Sequence, residues 1–219
     1  MLAKGSPVPG KKSRLAARVA TAVVATAGAC VLLAACSTVK LGSAAIVGDQ
    51  RISTASLDTQ VSNLQTAAKQ GHVTVQTPGM TAQQAVLAWM IRFAIRDQVA
   101  LDAGITVTDA QIEAALSQID QSSQASASQN GQHYPGLEAV LASGGISPQM
   151  ARDLGKYEAQ EIAFVEKNNG GTLPTAQADV TRALQAVSRA DCHAQKSLMI
   201  QVSPQFGQLG FDASSGSYN

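Results

Sequence analysis

A mainly α-helical fold, with a small β-hairpin completed by a C-terminal strand, is predicted by three features of this 219-residue sequence. Apolar residues recur at three- and four-residue spacing through successive segments from Leu57 to Val187, each bounded by Ser, Thr, Pro or Gly. Gly48-Asp49 sits between Ala44-Ala45-Ile46-Val47 and Gln50-Arg51-Ile52, and a two-residue loop with Gly first suits a type II′ turn. Near the other end, Leu198, Ile200 and Val202 alternate with polar or flexible neighbours, the period of a strand.

The chain opens on an export signal. Lys4, Lys11, Lys12, Arg14 and Arg18 precede an apolar run from Val19 to Ala35 with no acidic residue among them. The run falls a little short of the roughly 20 apolar residues that span a bilayer. Leu33-Ala34-Ala35-Cys36 resembles a bacterial lipobox: a branched residue at −3, small residues that fit a peptidase cleft, and a thiol able to form a lipid thioether. Cys30 is the weaker candidate, since Ala27 stands at its −3 position and the apolar run continues past it through Leu33. Cleavage before Cys36 is therefore expected, with diacylglyceryl and fatty-acyl (palmitate-type) modification. Two or more acyl chains anchor stably where one does not. The expected location is the extracytoplasmic face of a bacterial cell membrane.

Residues 1–35 are thus read as a lipoprotein signal peptide, 36–43 as a lipid-proximal spacer, 44–212 as one domain and 213–219 as a flexible tail. Removing five of the 16 Lys and Arg leaves 11 against 15 Asp and Glu, so the mature chain carries a formal charge of −4. That balance gives no electrostatic footprint for nucleic acid. With Cys36 lipidated, Cys192 is the cysteine that remains, and no intramolecular disulfide is expected.

The mature elements follow in order. After the hairpin, Ser53 or Thr54 caps a first helix bearing Leu57, Val61, Leu64 and Ala68, and Gly71 stops it. The most apolar helix covers 81–103, where Gln84, Arg92 and Arg96 form a narrow polar strip, so it should be the central, most buried element. Gly104 ends it. Thr108 with Gln111 makes a capping-box pattern for a third helix carrying Ile112, Ala115, Leu116 and Ile119. Residues 121–131, QSSQASASQNG, are polar and low in complexity and read as a mobile loop. A short helix suits 136–142, Ser147-Pro148 opens a longer one to about Asn168, and Thr175 opens the last, with Val180, Leu184 and Val187 on its inner face. A strand over 196–202 closes the domain. A lone two-stranded hairpin is only marginally stable, so this strand is expected to pair beside Ala44–Val47.

Four stretches taken together, AAIVGDQRISTASLD (44–58), the long apolar helix, GITVTDAQIEAAL (104–116) and SPQMARDLGKYE (147–158), resemble the N-terminal chaperone domain of the SurA and PrsA foldases. VSPQFGQLGFD (202–212) is similar to the Asn-Pro-Arg-[Phe/Tyr]-Gly ending of lipoproteins in that group, with Ser203 and Gln205 standing where Asn and Arg are common. The resemblance implies a helical cradle for unfolded, nascent or exported polypeptides, and a last strand that returns to the N-terminal hairpin. Many members insert a parvulin-type prolyl isomerase before the C-terminal helix. Here residues 167–175 occupy that place, too few for such a domain.

No residue set in the chain suggests catalysis. Cys192 and His193 are neighbours and so project in different directions, with no orienting partner, which favours a structural cysteine. His72 and His133 fall in expected loops without a second ligand at metal spacing, and no metal, cofactor or small-molecule substrate is indicated. Gly144-Gly145 and Gly170-Gly171 read as helix stops. Trp89, Met90 and Phe93 are the candidate client-binding residues: ordinary core packing is their first reading, and partial exposure to a client is the second. Two functions from different classes follow, a lipid-anchored non-catalytic chaperone or holdase, and a docking module for one envelope protein. A broad apolar groove favours the first and a single defined patch the second.

Overall fold

The computed structural model describes residues 41–207, 211–212 and 217–218. The lipobox residues Leu33, Ala34, Ala35 and Cys36 lie outside them. Strands β1 (Ser43–Val47) and β2 (Gln50–Ser53) form the expected hairpin. Gly48 has φ +55 and Asp49 does not share the positive φ, which is the type II′ pattern. Helices α1 (Thr54–Gln70), α2 (Ala82–Asp102), α3 (Asp109–Gln129), α4 (Leu137–Ser143), α5 (Ala151–Asn168) and α6 (Gln177–Ser197) follow, then β3 (Ile200–Val202). Two-residue strands β4 (Phe211–Asp212) and β5 (Ser217–Tyr218) pair with one another.

The sheet closes through the chain ends. Its order is β2-β1-β3, all antiparallel, with Ala45 opposite Val202, Ile46 opposite Gln201 and Val47 opposite Ile200. The Ser203 amide extends the ladder to the Ala44 carbonyl at 2.9 Å, and Gly48 reaches Met199 at 3.0 Å. The third strand thus pairs where the sequence placed it. Beyond it, Pro204–Phe206 makes a 3₁₀ turn that buries Phe206 against the core, and the Gln84 side chain donates to the Phe206 carbonyl at 3.0 Å. A Cβ on Gly207 would stand 3.1 Å from the Gln84 amide nitrogen. The Phe-Gly pair of the VSPQFG ending therefore seats the chain end on the start of α2.

Helix α2 is the central element. Ten of its residues are buried, and Val86, Leu87 and Ile91 have no exposed surface. They meet Leu57 and Leu64 of α1 and Ala44 and Ala45 of β1 in one apolar cluster. A separate cluster of Ile112, Ala115 and Ala159 joins α3 to α5, and a third, Val165 with Ala183 and Val187, joins α5 to α6. Gly155 sets the α3–α5 approach, since a Cβ there would lie 2.7 Å from Leu116 Cγ and 2.9 Å from the Ile112 carbonyl oxygen.

Two expectations are corrected. Residues 121–129 are helical, not loop: no Pro or Gly interrupts α3 before Gly131, and Ser122 and Ser128 return their hydroxyls to the Ile119 and Gln124 carbonyls. The last strand begins at Ile200, because α6 continues to Ser197 and takes Lys196 and Ser197 with it.

Five helices end on the same wrap, a left-handed residue followed by a bond from the next amide back five positions. In α2, α3, α4 and α5 the left-handed residue is Gly104, Gly131, Gly145 or Gly170. In α1 it is His72, at φ +50. The glycine there, Gly71, stands one position earlier because a Cβ would meet Ala139 Cβ of α4 at 2.4 Å. Close approach of α1 and α4 takes the glycine and leaves the strained angle to a histidine.

Candidate functional site

Trp89 and Phe93 lie one turn apart on α2, and Tyr157 reaches them from α5. Their ring centroids are 5.7 Å apart for Trp89–Phe93, 5.9 Å for Phe93–Tyr157 and 6.4 Å for Trp89–Tyr157, the last edge-to-face. Such arrangements exceed plain area burial by roughly 0.5–1.5 kcal/mol per pair. The Trp89 indole donates to the Gly144 carbonyl at 3.2 Å, and the Arg92 guanidinium lies 4.7 Å from its ring centre. All three rings and Met90 are only partly buried, and Trp89, Met90 and Phe93 pack against the main core. Trp89, Met90 and Phe93 thus pack on the core and keep some accessible surface.

Below the rings, one turn further along α2, Arg96 is 2% exposed. The sequence placed it in a polar strip, yet the structure buries it between α5 and α6. Its Nη2 donates to Asp191 Oδ2 at 2.7 Å and to the Tyr157 hydroxyl at 3.2 Å, and stands 3.3 Å from Glu161 Oε2. Its guanidinium also covers the Tyr157 ring at 4.5 Å. A buried guanidinium requires such company, because breaking a buried pair strands a charge at about 3–5 kcal/mol.

Carboxylates outnumber the cation here. Burial pushes Asp191 up to about 6 despite the attraction of Arg96. Glu158 is pushed up to about 7, by burial first and by the neighbouring Glu161 second, with Arg96 opposing. Tyr157 is also raised, chiefly by burial. The arrangement is a structural joint binding α2, α5 and α6, with the aromatic shelf on its upper side. It lacks the pairing of nucleophile and base that group-transfer chemistry needs.

Sequence reasoning overlooked Tyr157, Arg96, Glu158 and Asp191 as one cluster. The available signal was Arg96 itself, a charge among residues that periodicity buries, which demands a partner. Its partners stand 61 and 95 residues away, so no local pattern names them.

The remaining expectations for chemistry resolve separately. His72, His133 and His193 are exposed, and among the described residues no group of three His, Cys, Asp or Glu is placed to hold a metal. Cys192 is disulfide-bonded, against the expectation that no intramolecular disulfide forms. No helix among the described residues is long and apolar enough to cross a membrane.

The described residues thus form a small helical domain whose three-stranded sheet joins its first and last strands, with an aromatic shelf between α2 and α5. The family model for the SurA-like N-terminal domain matches residues 11–158, more than half of the chain, and the chain belongs to that family. At family level this is a non-catalytic, chaperone-type domain that binds polypeptides. The connection from α5 to α6, residues 169–176, carries no inserted domain. No curated protein matches the chain.

Proposed function

We propose that the chain is a lipid-anchored, extracytoplasmic holdase: it delays aggregation of unfolded exported polypeptides and catalyses nothing. The observation that supports the reading is the partly buried shelf of Trp89, Phe93 and Tyr157, with partly buried Met90 next to Trp89 in the chain, and with Trp89 and Phe93 held by the core and Trp89 by the Gly144 carbonyl. Flat aromatics and a flexible thioether adapt to many sequences. The short 169–176 connection supports the absence of isomerase activity, and the Leu33-Ala34-Ala35-Cys36 spacing supports anchoring through Cys36.

The test uses the soluble chain from Ser37 onward. It should suppress aggregation of a denatured protein and crosslink to it from a photoreactive group at position 90. It should leave a proline-limited refolding phase, on the order of 10–100 s uncatalysed, unchanged. Acceleration of that phase would refute the non-enzymatic reading. Undiminished aggregation together with tight capture of a single folded envelope protein would replace the holdase by the docking module. Fatty-acid labelling that survives Cys36→Ala would move the anchor elsewhere.

A further inference from the structure

Two helices end on Asn-Gly, and the structure separates their fates. Asn130 caps α3 and precedes Gly131; Asn169 caps α5 and precedes Gly170. A glycine amide has no Cβ beside it, so its nitrogen can approach the preceding asparagine side chain with little hindrance. Asn169 is tethered, its Nδ2 donating to the Thr172 carbonyl at 2.9 Å. The Asn130 side chain has no hydrogen bond among the described residues and is exposed, as is Gly131.

We propose that Asn130 is a site of spontaneous deamidation, and that its conversion frays the outer half of α3. The Gly131 nitrogen attacks Cγ of Asn130, forming a five-membered succinimide as the Cγ–Nδ2 bond breaks. Nδ2 departs as ammonia, taking up the proton that the Gly131 amide gives up. Water then opens either ring carbonyl, leaving an aspartyl or an isoaspartyl residue at position 130. No oxidant, reductant or enzyme enters the balance.

Reaching the attack geometry requires the backbone to turn at Asn130, which breaks the Gly131-to-Ser128 bond of 3.2 Å and the Gln132-to-Ala127 bond of 2.8 Å. Those bonds close a stretch that fraying opens readily, because none of residues 121–129 is buried. The product adds a negative charge beside the carbonyl end of the helix, where the macrodipole disfavours it. An isoaspartyl linkage also lengthens the backbone and removes the cap geometry. Fraying should stop at Asp120, which accepts the Tyr134 hydroxyl, next to the partly buried Ile119.

The experiment is incubation of the mature chain at mildly alkaline pH, followed by peptide mass spectrometry of both Asn-Gly sites and amide exchange of α3. Position 130 should convert roughly fivefold faster than position 169, the weight of about one neutral hydrogen bond. Asn130→Gln should abolish conversion there and keep native exchange. Asn130→Asp should accelerate exchange in residues 121–129 and leave 109–118 protected. Conversion at position 169 as fast as at position 130 would overturn the site assignment. Unchanged exchange in both the aged protein and Asn130→Asp would overturn the structural consequence.

Discussion

Helices α2 and α3 are matched in everything local and opposite in everything else. Each has 21 residues, a threonine N-cap with glutamine three positions on, both capping-box bonds formed, and a left-handed glycine after its last turn. Yet α2 buries ten residues and α3 two. Caps and stops therefore define where a helix begins and ends, and say nothing of how firmly the molecule holds it. Stability of α2 belongs to the whole domain. Stability of α3 belongs to its own backbone, to its packing along α5 and to Ile119, the residue it sets against the main core.

The largest test of this contrast removes core volume. Ile91→Ala, at a position with no exposed surface, should destabilise the whole domain by about 2–5 kcal/mol, read as a cooperative shift in chemical denaturation. The same truncation at Ile119, partly buried in α3, should fall well below that range. Equal losses would mean that the core holds Ile119, at its edge, as firmly as it holds Ile91.

Gly155→Ala comes next. The added methyl meets Leu116 and the Ile112 carbonyl, and overpacking of this kind is worth about 1–3 kcal/mol. Amide exchange should quicken throughout α3 while α2 keeps its protection. Loss of protection in both helices would merge the two regions.

The buried charge on α2 gives a pH signature. Asp191 rises from 3.8 to about 6 and Glu158 from 4.5 to about 7, so the folded state holds these protons more tightly than the unfolded chain. A carboxylate raised on folding adds stability as pH falls through its folded value, a gain complete once pH is below the unfolded value. Tm should therefore be higher at pH 5 than at pH 8, by on the order of a few degrees. Glu158→Gln should flatten the profile and raise Tm at pH 8. A profile that falls steadily toward pH 5 would show that other carboxylates dominate.

The smallest effect compares the caps themselves. Thr81→Ala and Thr108→Ala each remove one side-chain acceptor, about 1 kcal/mol. Only the first should move the global midpoint; the second should appear as local exchange in the first turns of α3.

Most of the architecture was legible because its signals are local. Thr108 caps as expected, Ser53 is the one of its two candidates that caps α1, Gly48-Asp49 turns the hairpin, and the alternation of Leu198, Ile200 and Val202 supplied a strand whose partner followed from the hairpin's need for a third. The outer half of α3 was misread because polarity was taken for irregularity, when Ala, Gln and Ser without a breaker sustain a nucleated helix. The candidate site was half legible. Trp89, Met90 and Phe93 announced themselves by spacing, whereas Tyr157 and Asp191 meet Arg96 only after α5 and α6 have folded back. His72 shows the same limit: it takes the left-handed position of the wrap while the neighbouring Gly71 makes room for Ala139 across the molecule.

Pairing β1 with β3 also sets a clock on biogenesis. The first strand of this sheet to be synthesised is its middle strand, and its second neighbour follows only after all six helices. At about 5–20 residues per second, β1 waits on the order of ten seconds or more for β3. Throughout that interval one edge of β1 is open, and the start of α2 lacks the cover of Phe206. A growing chain of this protein is thus, for a time, in the condition of the polypeptides it is proposed to protect.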